Sequence, residues 1–369
     1  MITEEQVRAA LRNVLDPEIG KPIEDLGMLR DIEISPEGDV TVHVLLTVAA
    51  CPLRDRIDSD VTGAVAPLEG VRGVQVALGE MTGDQRQALV TQLKGGQPEQ
   101  QTFFGDGRTE VIAVASGKGG VGKSSVTANL AAAMAAEGHQ VGVLDADVWG
   151  FSIPRMMGVS GQPVAFNDMI LPLESHGVKV ISMGFFVPDE TPVIWRGPML
   201  HKALQQFLGD VYWGDLDFLL IDMPPGTGDV SLSLASFLPG GSMVVVTTPQ
   251  DAASKVAERA GRMAQHPNVK LKLLGVVENM SGFVCPHCGE ITDVFGSGGG
   301  EKTARALGVP YMGAVPMQIS LREGSDTGSP VVISEPDSPA GTVLRELAAS
   351  LAKSAKTRVG KSLPLSVAR

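Results

Sequence analysis

Val111-Ile112-Ala113-Val114-Ala115, followed after one serine by Gly117-Lys118-Gly119-Gly120-Val121-Gly122-Lys123-Ser124, is the stretch that decides the fold of this chain. The first five residues are short, apolar and partly β-branched, as a buried strand requires, and the next eight fit the phosphate-binding pattern G-x-x-x-x-G-K-[ST]. Ser124 to Glu137 is alanine-rich, with apolar residues at helical spacing, so strand, glycine loop and helix follow in the order a P-loop needs. Gly119, Gly120 and Gly122 allow a tight turn that aims successive N–H groups at phosphate oxygens. Lys123 is placed to reach the β/γ-phosphates, and the Ser124 hydroxyl to hold Mg²⁺. Residues Gly117 to Ser125, Val121 included, are the expected nucleotide cradle. Lys118 is a second lysine that an ordinary P-loop does not need.

Outward from this loop, apolar strand candidates alternate with helices: Val141 to Leu144, Val178 to Met183, Phe218 to Ile221, Met243 to Thr248, Leu273 to Glu278 and Tyr311 to Val315. Strands that are apolar throughout imply an α/β fold over residues 109–352, with a mostly parallel sheet covered by helices on both faces. Ligands then gather at the carboxyl ends of the strands. Residues 1–80 read as a separate small α/β unit, in which Gly38-Asp39 turns one strand into the next. Residues 81–108, rich in Gln and Gly, read as a linker with some helix, and 353–369 as a solvated basic tail.

At 369 residues the chain exceeds what one core usually organises, and 43% apolar residues are ample for two units. A net charge of -12 argues against a broad nucleic-acid surface, which needs a basic stripe. No apolar run reaches the roughly 18 residues of a membrane span, and the amino terminus has no basic-then-apolar export signal. The expectation is a cytoplasmic protein with no nucleic-acid partner and no stable membrane anchoring.

Asp222 closes the run Phe218 to Ile221, so its carboxylate falls at a strand tip, suited to the Mg²⁺ shell. The loop Pro224-Pro225-Gly226-Thr227-Gly228-Asp229 behind it is placed to sense a γ-phosphate. Asp145 and Asp147 follow their strand in the same way, and Asp147 is the preferred residue for orienting an attacking water. Of three cysteines, Cys285 and Cys288 flank Pro286-His287 and offer two sulfurs on one tight turn, a half-site for zinc or an iron-sulfur cluster. Two ligands do not complete a tetrahedral set. The remaining ligands come from His287, from Cys51 or from an identical subunit, and a two-fold homodimer supplies four thiolates.

Together with Lys118, these segments resemble the deviant P-loop ATPases, the group of the cell-division regulator MinD and nitrogenase iron protein. The resemblance sharpens to the Mrp iron-sulfur carriers from Val111 to Val332. Asp222-Met223-Pro224-Pro225-Gly226-Thr227-Gly228-Asp229, Trp195-Arg196-Gly197-Pro198-Met199 and Asn279-Met280-Ser281-Gly282-Phe283-Val284-Cys285-Pro286-His287-Cys288-Gly289 carry it. The first switch, Asp145-Ala146-Asp147-Val148-Trp149-Gly150-Phe151, departs from the family at Trp149 and Phe151. The amino-terminal unit resembles the small domain often fused to Mrp proteins, on Asp16-Pro17-Glu18, Asp25-Leu26-Gly27 and the segment Leu46 to Pro52 around Cys51.

That resemblance implies a homodimeric ATPase whose Lys118 reaches across to the partner's nucleotide, like an arginine finger in trans. It implies that Lys118, Lys123, Asp147 and Asp222 serve catalysis, that Asn279 reads adenine, and that the stretch from Val315-Pro316 to Gly328 closes over the base. It further implies a [4Fe-4S] cluster bridging Cys285 and Cys288 of two subunits, received from a donor and passed to apo-proteins, with Cys51 as an accessory group. The rival reading is a regulatory ATPase of the MinD or partitioning type, with zinc on the same cysteine pair.

Overall fold

The computed structural model describes residues 2–17, 19–47, 54–93, 104, 108–147, 150–166, 169–186, 197–238, 240–266, 269 and 271–356. They form two compact units. Cys51, Val148, Trp149, Trp195 and Arg196 lie outside the described residues.

The first unit takes in residues 1–100 with 164–171 and 210–214. Its first helix, Glu4–Leu11, starts where Thr3 and Gln6 cap each other: the Gln6 N–H donates to Thr3 Oγ1 and the Thr3 N–H to Gln6 Oε1. Strands Leu29–Ile34 and Asp39–Leu46 pair antiparallel around Gly38, whose φ of +94° suits glycine, and Gly73–Glu80 adds in parallel. Val40, Val42 and Val44 alternate into a core with Val7, Leu11, Ile57 and Val61 from the two helices packed on the sheet. Helix Gly83–Leu93 follows, and Met81 and Leu89 are buried in the same core.

The second unit is the expected α/β fold. Among the described residues nine strands form one sheet, ordered Ile291–Thr292, Lys272–Val284, Ser242–Thr247, Glu110–Ser116, Phe218–Asp222, Val141–Asp145, Val178–Ser182 and Leu173–Ser175, with Tyr311–Met317 also paired to Lys272–Val284. Seven run parallel; the short pieces Leu173–Ser175 and Ile291–Thr292 are antiparallel. Ile112 and Val114 join helices Lys123–Ala136 and Pro339–Lys356 in one core, while Ala113 and Ala115, which point to the opposite face, are equally buried. Helices Asp251–Ala264 and Gly299–Leu307 pack on each other and on strands Ser242–Thr247 and Lys272–Val284. Among the described residues no helix is long and apolar enough to cross a membrane.

Every strand read from periodicity is present, but Lys272–Val284 runs on past Glu278 to the cysteine turn. Periodicity does not show this extension, because Met280 and Gly282 take left-handed backbone angles and break the alternation.

Candidate functional site

The parallel strands deliver their carboxyl ends to one rim, and the glycine loop lies there. Gly120 and Gly122 both have φ +78°, a region that β-carbons disfavour, and Gly122 caps helix Lys123–Ala136. A β-carbon on Gly122 would overlap Asn279 Nδ2, and one on Gly117 would overlap the Val256–Ala257 backbone. The glycines are thus needed both for the turn and for close packing of neighbouring elements. The helix amino terminus adds its partial positive charge to the cradle.

Lys123, only 5% exposed, points its ammonium at Asp222 Oδ2, 2.6 Å away, and stands 3.8 Å from Asp147 Oδ2. Ser124 Oγ donates to the same Asp222 oxygen at 2.6 Å, and Thr127 Oγ1 donates to Asp222 Oδ1 at 2.8 Å. Thr127 carried no motif signal, yet it lies one helical turn after Lys123 and therefore shares its face. Ser124 and Asp222 present hard oxygen donors side by side, a set that fits Mg²⁺. These two residues would hold the ion, and when bound it would neutralise charge on phosphate oxygens.

Asp145 is fully buried beneath the loop bearing Asp147. It accepts from the Asp147 N–H at 3.2 Å, the Ile153 N–H at 3.3 Å and Ser182 Oγ at 3.0 Å, and so ties both ends of that loop to the sheet. Burial first, and then the charge of Asp222, push its carboxyl up to about 8 against the opposing pull of Lys123.

Lys118 Nζ donates to Gln250 Oε1 at 3.2 Å. Gln250, just beyond strand Ser242–Thr247, escaped the sequence reading; its position after a strand end was the available signal. Ser125 Oγ lies 3.4 Å from Ser325 Oγ in helix Ile319–Thr327, and its carbonyl accepts from Asn129 Nδ2 at 2.9 Å. Buried Asn279 donates from Nδ2 to the Val121 carbonyl at 2.9 Å and pairs in register with Val315, the neighbour of Pro316. The loop, Asn279, Pro316 and the 319–327 helix therefore meet around one rim.

Cys285 and Cys288 sit on the turn that joins Lys272–Val284 to Ile291–Thr292. The turn is closed by the Cys285 N–H to Glu290 O at 3.0 Å and the Gly289 N–H to Cys285 O at 2.9 Å. Cys285 is half-buried and Cys288 exposed, and the two are not joined by a disulfide. The Cys288 and His287 N–H groups donate to the Cys285 sulfur, and with the Cys288 thiol they hold Cys285 below the ordinary thiol range. Among the described residues no group of three or more His, Cys, Asp or Glu side chains could hold a metal ion, so among them the pair is a half-site. Ile291 and Val294, 63% and 56% exposed, lie just past it.

A glycine cradle at the rim of a parallel sheet, with a buried lysine, a hydroxyl and a strand-end aspartate converging on it, defines a P-loop NTPase. A family model described as NUBPL iron-transfer P-loop NTPase matches residues 107–352, and one described as iron-sulfur cluster assembly protein matches residues 4–78. The iron-sulfur cluster carrier protein of Mycobacterium tuberculosis is 50% identical over 371 residues, covering 98% of this chain and 97% of its own. That of Bacillus subtilis is 38% identical over 354 residues, covering 94% and 97%. Among solved structures, a nucleotide-binding protein in complex with ADP from Archaeoglobus fulgidus superposes with a TM-score of 0.55 at 38% identity, over 64% of this chain and 91% of that one. MinD of Aquifex aeolicus, 20% identical with a TM-score of 0.50 over 70% and 99%, shares the fold alone. The chain belongs to the NUBPL iron-transfer P-loop NTPase family, the Mrp group, and carries an iron-sulfur assembly-type domain ahead of the NTPase domain.

Proposed function

We propose that this protein is an ATP-hydrolysing iron-sulfur cluster carrier that works as a homodimer. ATP is held by Gly117 to Ser125, with Asn279 and Pro316 at the base and Mg²⁺ on Ser124. Lys123 and Asp222 set the charge around the β/γ-phosphates, Asp147 orients water, and Lys118 exchanges Gln250 for the partner's nucleotide. The cargo is a [4Fe-4S] cluster shared by Cys285 and Cys288 of two subunits, accepted from a donor and passed to apo-proteins. Cys51 and the amino-terminal domain assist delivery.

The observation that carries this reading is the cysteine turn itself. A half-exposed thiol pair with N–H groups aimed at one sulfur, bordered by exposed apolar residues, is poised to ligate, and it stands on the strand that also bears Asn279. A purely regulatory switch does not need such a pair to bind and hydrolyse nucleotide. A two-fold axis beside it completes four thiolates and covers Ile291 and Val294.

Anaerobic reconstitution followed by analytical ultracentrifugation, with iron quantified in each fraction, tests the proposal. About four irons per dimer are expected for a cluster held by two pairs of thiolates. A cluster-bearing monomer refutes the shared site, and zinc in place of iron hands the site to the regulatory reading.

A further inference from the structure

One strand, Lys272–Val284, joins the phosphate loop to the cysteine turn, and the widest interruption of its pairing lies opposite Pro316. Against Tyr311–Met317 it pairs Asn279 with Val315 and Phe283 with Met317, which leaves Met280, Ser281 and Gly282 opposite Pro316 alone. Proline has no N–H to give a ladder, so the surplus residues bulge there. Gly282 takes φ +79°, and a β-carbon on it would come within 2.6 Å of Ile291 Cγ2. Met280 takes φ +58° without being glycine, a conformation that costs roughly 1–2 kcal/mol and persists only where the surroundings hold it.

Those surroundings are the phosphate loop. A methyl on Gly122 would stand 3.6 Å from Met280 Cε, and the preceding residue, Asn279, is bonded to the Val121 carbonyl. On the other side the strand is pinned by Glu278. Its buried carboxylate accepts from Ser281 Oγ and from the Gly300 N–H at the head of helix Gly299–Leu307, each at 2.6 Å. The bulge is therefore held between a fixed anchor and the nucleotide loop, and the paired residues Phe283 and Val284 lead from it straight into the cysteine hairpin.

We propose that Met280 is a positioning residue that couples nucleotide occupancy of the loop to the geometry of Cys285 and Cys288. The inference rests on the nucleotide reading of Gly117 to Ser125. Nucleotide engages the Val121–Gly122 backbone and the Asn279 amide. The support that keeps Met280 left-handed changes, and the bulge shifts against Pro316. Because Glu278 blocks movement toward the sheet centre, the shift passes outward to the thiols. Both sites thus bias one strained element, which is what physical coupling requires.

Alkylation of the cluster-free, full-length protein by iodoacetamide, read peptide by peptide in a mass spectrometer with and without saturating Mg-ADP, tests this. Cys51 serves as the internal reference, and calorimetric titration measures Mg-ADP binding separately. The rate at the 285/288 peptide should change about fivefold or more, the lower end of ordinary coupling, relative to Cys51. Met280→Gly, which keeps the backbone angle without the side chain, should still bind Mg-ADP yet lose the response, and Met280→Leu should restore it. Met280→Asn, which tolerates the same angle, should behave as Met280→Gly. A parent protein that binds Mg-ADP with no change in alkylation overturns the coupling alone, as does a Met280→Gly protein that responds like the parent. A parent that binds no nucleotide overturns the nucleotide reading as well.

Discussion

Lys123 Nζ and Asp222 Oδ2, 2.6 Å apart and both buried, join the phosphate loop to the central strand Phe218–Asp222. Phosphate binding must compete with this ion pair for the ammonium. Ser124 and Thr127, which donate to the same carboxylate, remain to satisfy Asp222 when Lys123 turns away. In the proposed nucleotide site the pair would release its ammonium to phosphate without leaving a buried carboxylate bare.

The two lysines should separate in mutants. Lys123→Ala is expected to abolish hydrolysis and weaken nucleotide binding, whereas Lys118→Ala, whose partner in this chain is Gln250, should bind nucleotide and lose turnover by ~10³-fold or more. Calorimetric binding and phosphate-release assays on both variants check this. Equal loss of binding would sink the division of roles.

Cys285→Ala and Cys288→Ala should each lose the reconstituted cluster and keep ATP binding, because the phosphate cradle is built from other segments. His287→Ala should retain the cluster, since His287 helps Cys285 through its backbone N–H, which alanine also has. Absorbance of iron-thiolate clusters together with nucleotide titration reads both properties in one sample.

Glycine substitutions should divide by packing. Gly122→Ala meets Asn279 at a left-handed position and Gly117→Ala meets the Val256–Ala257 backbone, so each should cost roughly 2–4 kcal/mol in urea unfolding. Gly119 has open space and no positive φ, so Gly119→Ala should stay within about 0.5 kcal/mol. A Gly122→Ala protein as stable as the parent would overturn the assigned contact with Asn279.

Asp145 sets a pH dependence. Its folded value of about 8 lies above the ordinary carboxylate value, so between those limits the folded state binds the extra proton. Its contribution to stability is therefore present at low pH and is lost as pH rises toward 8. Melting temperatures from pH 5 to 9 should fall less steeply in Asp145→Asn than in the parent. A parallel pair of curves would show that Asp145 stays ionised throughout.

Much of this fold was legible before any coordinates. The order strand, glycine loop, helix is local, and so are the apolar strands and the C-x-x-C turn; each depends on residues a few positions apart and on the backbone angles those residues allow. Periodicity ends the strand Lys272–Val284 at Glu278 for the same reason. Its alternation fails at Met280, whose left-handed backbone angle is not announced by its residue type.

What the sequence alone determined, then, was the presence of a phosphate cradle and a thiol pair, because glycine freedom and residue spacing act over short range. Only the tertiary structure decided their partners. Lys123 and Asp222 are 99 residues apart, Lys118 and Gln250 are 132 apart, and Ser125 and Ser325 are 200 apart. A parallel sheet with crossover helices brings these strand ends to one rim, and no local pattern encodes which side chains meet there.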